Sequence, residues 1–325
     1  MGWLRIFLSA YIVRSGGVGD VALDRKTRKE KWAVTNNHDG GASGPSDGGP
    51  VLTGISVAVV AVSTTGSRTA GSARTRPPWV AMEDYAALIR ANTPMRALRL
   101  PVTTGDPHVL TERILGLPTG VSAVFVVGVG HRESAAVARA VTGRGGPVVL
   151  TELDVLTAAV AAAAITTLRR RGVPPRAGRV VITGASWAPL LAPVLIASGV
   201  GDLSSWHERD AEAFPLRRVM DHNDVLVDLA GCAPDGAAVG RTVTVPADGF
   251  AYGALVLPGL LAALCGHEVR TVTVEVVAAC VRALALITPA DRMLPSLGDR
   301  LLVSAVARHV SRALGHPVPY RDPHR

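Results

Sequence analysis

The run Arg179-Val180-Val181-Ile182-Thr183 leads into Gly184-Ala185-Ser186-Trp187-Ala188-Pro189, then into a helical pattern from Leu190 to Ser198. Strand, tight turn and helix in that order let backbone amides approach a pyrophosphate at a helix N-terminus. Only Gly184 stands at a glycine position of such a turn. Ser186 offers a hydroxyl and an amide. Pro189 has no N–H, but proline is tolerated in the first turn of a helix. The same residues also read as a purely structural strand–turn–helix. A carboxylate after the following strand would hold ribose hydroxyls. Glu208 and Asp210, shortly after Trp206, are the candidates, with Glu208 preferred. Gly184, Ala185, Ser186, Glu208 and Gly231 form the candidate cofactor-binding set.

Other chemistry is excluded by composition. Of 34 Lys plus Arg, only Lys26, Lys29 and Lys31 are lysines, so no catalytic lysine exists in the body of the chain. Thr183-Gly184-Ala185-Ser186 resembles the opening of a short-chain dehydrogenase, which needs a Tyr-x-x-x-Lys pair. Tyr252 and Tyr320 have no lysine partner, and that reading is rejected. Cys232, Cys265 and Cys280 form no CxxC pair and no zinc spacing, and read as small buried hydrophobes. Without a paired cysteine framework or a cleavable leader, the expected compartment is the cytoplasm. The apolar run Leu156 to Leu168 is too short to span a bilayer. The net charge of +8 reads as an arginine-rich solvated surface. Nucleic-acid binding would need clustered basic residues interleaved with aromatics. The cluster Arg169-Arg170-Arg171 ends a helical pattern, where the helix dipole favours it without any partner.

The elements that must position these residues alternate. With 325 residues, 48% of them hydrophobic, the chain can bury cores for two domains. Val57 to Val62, Arg99 to Val102 and Ala123 to Val129 read as strands. Met82 to Arg90, His108 to Leu115 and His131 to Ala140 read as helices between or after them. Leu153 to Arg171 is a long buried helix stopped by Gly172 and Pro174-Pro175. Asp202 to Trp206 and Asp224 to Leu229 are further strands, with a helical stretch near Arg217 to Met220. After the break Pro246-Ala247-Asp248-Gly249 come helical patterns at Leu255 to Leu264, Val274 to Leu286 and Leu301 to Leu314. The fold class is α/β: an N-terminal lobe followed by a doubly wound, Rossmann-type nucleotide-binding domain. The expected division is 1–55 as a poorly defined segment, 56–152 as the first lobe, and 153–325 as the nucleotide-binding domain with C-terminal helices.

In sequence order, several short motifs resemble the malic enzyme family. They include Met82-Glu83-Asp84-Tyr85, Thr103-Thr104-Gly105-Asp106-Pro107, Gly146-Pro147-Val148-Val149, and the strand and turn ending at Ala185. Ser198-Gly199-Val200-Gly201-Asp202, Asn223-Asp224-Val225-Leu226-Val227, Leu257-Pro258-Gly259-Leu260 and Met293-Leu294-Pro295-Ser296 follow. The resemblance runs from about Val57 to Leu314. It implies a malic-enzyme-like N-terminal lobe and oxidative decarboxylation of malate, a small 2-hydroxy acid, to pyruvate and CO2. It also implies NAD or NADP, a divalent metal acting as Lewis acid, and a homodimer.

By the same resemblance, the chemistry departs from the family while the scaffold does not. Tyr85 falls on the family's lysine. Val126 and Val127 fall on two adjacent acidic metal ligands, and valine cannot ligate Mg²⁺ or Mn²⁺. Glu152 falls on the third metal acid and is the only one kept as a carboxylate. Tyr252 and Gly253 replace paired asparagines, and Tyr11 lies near the place of the family's tyrosine. His131, Arg132 and Glu133 offer substitute groups near Glu152, against the plainer reading of an exposed helix start; Asp154 reads as a helix cap. The resulting expectation is a divergent homologue, a pseudoenzyme with a nucleotide-binding scaffold and impaired malate chemistry. The alternative is an active NAD(P)-dependent malic enzyme with rearranged residues.

Overall fold

The computed structural model describes residues 54–63, 76–233, 240–246, 248–267 and 269–315; Tyr11 and the Lys26–Lys31 cluster lie outside the described residues. The first half builds β1 (Ser56–Val62), α1 (Pro78–Asn92), β2 (Arg96–Val102), α2 (Pro107–Leu115), β3 (Val121–Val127), α3 (His131–Gly143) and β4 (Val148–Thr151). Its strands pair in parallel in the order β2-β1-β3-β4. β1 is apolar along nearly its whole length because helices cover both faces of a parallel sheet. The edge strand β2 is mostly exposed and carries Arg96, Arg99 and Pro101. It therefore lacks the apolar run that marks a buried strand, and begins at Arg96 where the hydrophobic pattern begins at Arg99.

The second half builds β5 (Arg179–Thr183), α5 (Leu191–Ala197), β6 (Asp202–Trp206), α6 (Leu216–Asp221), β7 (Val225–Asp228) and β8 (Thr242–Thr244), with α4 (Glu152–Arg170) joining the halves. These strands also pair in parallel, in the order β6-β5-β7-β8. β6 lies on one side of β5 and β7 on the other. The carboxyl ends of β5 and β7 therefore form a topological switch point, where open α/β sheets leave a crevice. This is the doubly wound arrangement expected from the sequence. β4 and β8, four and three residues long, were not expected, because runs so short carry no periodicity.

α4 starts on a capping box: Asp154 N–H donates to Thr151 Oγ1, and the Asp154 carboxylate accepts from Thr151 N–H at 2.8 Å. The capping role expected for Asp154 is present. Every α4 residue from Val155 to Leu168 is buried. One apolar cluster contains Val57, Val59, Phe125 and Val127 of the first sheet, the alanine-rich body of α4, and Val180, Ile182, Val225 and Val227 of the second. The halves share a core through this helix.

α7 (Phe250–Gly266), α8 (Val274–Ile287) and α9 (Leu302–Gly315) close the molecule. α7 begins at Phe250, ahead of the apolar pattern at Leu255, because Asp248 accepts a hydrogen bond from Phe250 N–H at 3.1 Å and starts the helix. Buried Pro258 lies inside it. The adjacent Gly259 admits α9: a Cβ there would stand 2.6 Å from Val306 Cβ and 2.7 Å from the Val303 carbonyl. Two sequence readings need correction. Arg169 does have a partner, donating to the Ala285 carbonyl of α8. Cys265 and Cys280 are buried, and burial pushes the Cys280 thiol up to about 12, but Cys232 is only half-buried in the loop after β7.

Candidate functional site

Candidate chemistry gathers in two places. The first lies between the halves. α1 carries Tyr85 inward, fully buried, because Ala81, Met82, Tyr85, Ala86, Leu88 and Ile89 form its apolar stripe. The Tyr85 ring meets Phe125 edge-on at 4.7 Å between centroids and Phe250 at 4.9 Å. Its hydroxyl reaches Glu152 Oε1 at 3.5 Å, at the start of α4. Gly253 of α7 supplies the space, since a Cβ there would stand 2.4 Å from the Tyr85 hydroxyl. Above the rings, the Arg76 guanidinium lies 4.8 Å over Phe250, pairs with Asp84, and pairs with Asp248 at 2.6 Å. Burial raises the Tyr85 hydroxyl well above its ordinary value near 10; the charges of Glu152 and Asp248 push the same way, and Arg76 opposes them. At neutral pH Tyr85 is a protonated hydroxyl donating toward a carboxylate in an aromatic enclosure.

Three positions singled out in the sequence (Tyr85, Glu152 and Gly253) therefore meet. Val126 and Val127 do not meet there together. Strand alternation sends Val127 into the apolar cluster of Tyr85 and Phe125, and Val126 into the opposite cluster under α2 and α3. Burial raises the Asp154 carboxyl, against the hydrogen bonds from Thr151 and the nearby His131 charge. Arg132 and Glu133 are exposed, and the Glu133 carboxylate folds back on Gly130, the N-cap of α3. Among the described residues, no three His, Cys, Asp or Glu side chains converge as metal ligands. A divalent metal does not fit this donor set: Glu152 faces Tyr85, and Asp154 is committed to its cap.

The second place is the switch point at the carboxyl ends of β5 and β7. Gly184 turns the chain with φ +62° and a Trp187 N–H to Gly184 carbonyl bond of 2.9 Å. A side chain there would also press on the loop after β7, with Ala230 Cβ and N each 3.1 Å from an added Cβ. Ser186 and Trp187 are exposed beside this turn, and Ala185 is partly exposed. Glu208 is exposed two residues beyond the end of β6, and Gly231 is exposed, with φ +70° in the loop after β7. All five residues of the cofactor set thus stand at one edge of the second sheet.

Sequence reasoning missed the residue that holds the loops at this switch point together. Asp228, buried at the end of β7, accepts from the Thr183 hydroxyl, from Cys232 N–H at 3.0 Å and from Ala233 N–H at 2.8 Å. It ties the loop of Gly231 to β5. Its position as the last residue of an apolar strand beside a candidate crevice was the available signal. Burial, then the charges of Asp228 and Glu208, raise the Cys232 thiol, placing that half-buried side chain among these carboxylates.

No family model matches the chain, and no curated protein matches it in sequence. Solved structures do match. The NAD-dependent malic enzyme of Thermotoga maritima superposes with a TM-score of 0.61 at 15% identity, over 80% of this chain and 85% of that one. The Entamoeba histolytica malic enzyme gives 0.63 at 15%, over 82% and 70% of the two chains. The Pyrococcus horikoshii malic enzyme gives 0.63 at 14%, over 81% and 76%. The class is thus an α/β protein of two parallel four-stranded sheets. Within that class, its architecture is that of the malic enzymes, a likeness of fold.

Proposed function

We propose that this chain is a malic-enzyme-like scaffold that does not carry out oxidative decarboxylation of malate, and that its second half retains a crevice for a nicotinamide dinucleotide. The observation carrying the first part is the burial of Tyr85 between Phe125 and Phe250, with its hydroxyl on Glu152. A site that polarises a 2-hydroxy acid needs room for substrate, a metal cage and a tunable base. Here an aromatic ring fills the space, valines stand at two ligand positions, and the only titratable group at the lysine position is held protonated.

The second part rests on the switch point. A dinucleotide supplies hydride-accepting chemistry when bound. In this chain the Gly184–Ser186 turn would approach its pyrophosphate, Glu208 the ribose hydroxyls, and Gly231 would leave the crevice wall low. The proposed ligand is NAD or NADP, with a small 2-hydroxy acid as substrate only if turnover is found. The proposed setting is a homodimer in the cytoplasm, with the lobes dividing near Glu152.

The test combines two measurements. Malate, Mn²⁺ and NAD or NADP are supplied to the full chain, and reduced cofactor is followed by absorbance. The expected result is no turnover above a Glu152→Ala control; turnover that the control loses overturns the first part. NADH and NADPH are then titrated, following energy transfer from tryptophan to the bound nicotinamide. A saturable signal is expected, diminished in Trp187→Phe; no signal at saturating ligand overturns the second part.

A further inference from the structure

The first turn of α7 is built differently from the rest of that helix. Residues 253–261 are buried without a break, whereas Phe250 and Tyr252 are only partly buried and Ala251 is exposed. Two sets of bonds hold the turn. Within it, Phe250 N–H donates to Asp248, and the N–H groups of Tyr252 and Gly253 donate to the Gly249 carbonyl at 3.2 and 3.0 Å. From outside, the Arg76 guanidinium pairs with Asp248 at 2.6 Å and lies 4.8 Å over the Phe250 ring. Helix ends open locally at low cost, and the glycine at 253 weakens the helix where this turn meets the buried body.

Arg76 is anchored on the other side. It stands two residues before α1 and also pairs with Asp84 of that helix. The Asp84 pair joins residues eight apart within the first half, while the Asp248 pair joins residues 172 apart and crosses to α7. The Arg76 side chain is 14% exposed, less than Asp84 at 39% or Asp248 at 36%. A planar guanidinium serves two carboxylates at once, here one from each half. Beneath it the rings follow in order. Phe250 meets Tyr85 at 4.9 Å, Tyr85 meets Phe125 at 4.7 Å, and the Tyr85 hydroxyl reaches Glu152 at 3.5 Å. Phe250 is the one ring of this stack carried by the half-buried turn. Ion pairs with such exposed carboxylates each contribute little, so the bridge to Asp248 can break without unfolding the chain.

We propose that residues 248–252 form a lid over the Tyr85–Glu152 pair, and that Arg76 is its latch. The structure holds the lid shut. Breaking the Arg76–Asp248 bridge frees Phe250 from Tyr85 and admits water to a phenol and a carboxylate that face each other between the halves. The pair then gains what the closed form denies it, a solvent with which to exchange a proton. The inference rests on the reading of this place as closed core, and adds that one ionic bridge keeps it closed.

The test is nitration of Tyr85 by tetranitromethane in the full chain, read by mass spectrometry of its peptides. Nitration is slow in the unsubstituted chain. Asp248→Asn keeps an acceptor for Phe250 N–H but loses the bridge, and Tyr85 there reacts faster by roughly fivefold as the open fraction grows. Arg76→Gln gives a similar gain. Asp84→Asn gives a smaller one, because the bridge to α7 remains. Arg99→Gln, which breaks the exposed pair with Glu83 of the same helix, gives none. A second readout separates opening from a plain charge effect. Burial is the largest cause holding Tyr85 protonated; Glu152 and Asp248 add to it and Arg76 opposes it. In Arg76→Gln, loss of the charge alone delays ionisation, whereas opening relieves burial and advances it. Earlier ionisation, followed by ultraviolet absorbance, is expected. Unchanged nitration in Asp248→Asn, an equal gain in Asp84→Asn, or later ionisation in Arg76→Gln overturns the latch. Fast nitration of Tyr85 in the unsubstituted chain overturns instead the reading of a closed enclosure, so the two failures are distinct. Urea midpoints separate lid opening from global unfolding, and Asp248→Asn, the milder change, decides where Arg76→Gln lowers its midpoint.

Discussion

The two candidate places in this molecule have opposite characters. Around Tyr85, side chains turn inward: the ring is fully buried, it touches Phe125 and Phe250, and its hydroxyl spends itself on Glu152. Around Gly184, the groups turn outward: Ser186, Trp187, Glu208 and Gly231 are exposed, and the buried carboxylate of Asp228 is saturated by Thr183, Cys232 and Ala233. The first place is part of the core. The second keeps an open edge on a rigid support. The contrast shows two ways in which the same scaffold uses side chains: between the lobes they stabilise by burial, and at the open edge they are left to solvent.

The largest effect that would sharpen this contrast is the loss of the Tyr85 ring. Tyr85→Ala should lower stability by about 3–5 kcal/mol, the cost of emptying a fully packed aromatic position, measured by urea unfolding. If Tyr85 instead lines an open site, the loss will be small. Asp228→Ala comes next, at about 1–3 kcal/mol, because two backbone amides and a hydroxyl lose their acceptor. Gly253→Ala should cost about 1–3 kcal/mol by overpacking against the Tyr85 hydroxyl. That cost should shrink in a Tyr85→Phe background, so the two substitutions should be non-additive. Additivity would separate Gly253 from Tyr85.

The smallest effect concerns pH. Tyr85 binds its proton more tightly in the folded protein than in the unfolded chain, where its value lies near about 10. Above that pH the unfolded chain loses a proton that the folded protein keeps. The contribution is therefore fully present below about pH 10 and is lost as pH rises further. In ultraviolet titration at 295 nm, Tyr85 should ionise late, and earlier in Glu152→Gln, because the Glu152 charge is one cause of the shift. An unchanged titration in that variant would remove Glu152 as a cause.

Most of the doubly wound order was legible because buried parallel strands such as Ser56–Val62 and Arg179–Thr183 are continuous apolar runs bounded by turn residues. What escaped were elements without such runs: the exposed start of β2, the three-residue β8, and the start of α7, which Asp248 sets. At the candidate site, residue types carried much of the information, since a tyrosine at 85 and valines at 126 and 127, none of them a lysine base or an acidic metal ligand, are visible in one dimension. The encounter of Tyr85 with Gly253 was not, because nothing local links residues so distant in sequence. Nor was the split of Val126 from Val127, which is a matter of which sheet face each one takes.

α4 has a consequence for how the protein melts. A helix whose residues from Val155 to Leu168 are all buried, and whose cluster takes in strands of both sheets, ties the two lobes into one large core, beside the smaller clusters that each keeps on its other sheet face. Neither half can release its own strands without exposing the shared alanine-rich surface, so the free energies of opening the two halves are coupled. Scanning calorimetry should accordingly show one cooperative transition, with calorimetric and van't Hoff enthalpies in agreement. A small-residue substitution such as Ala161→Gly should lower that single midpoint without dividing it into two.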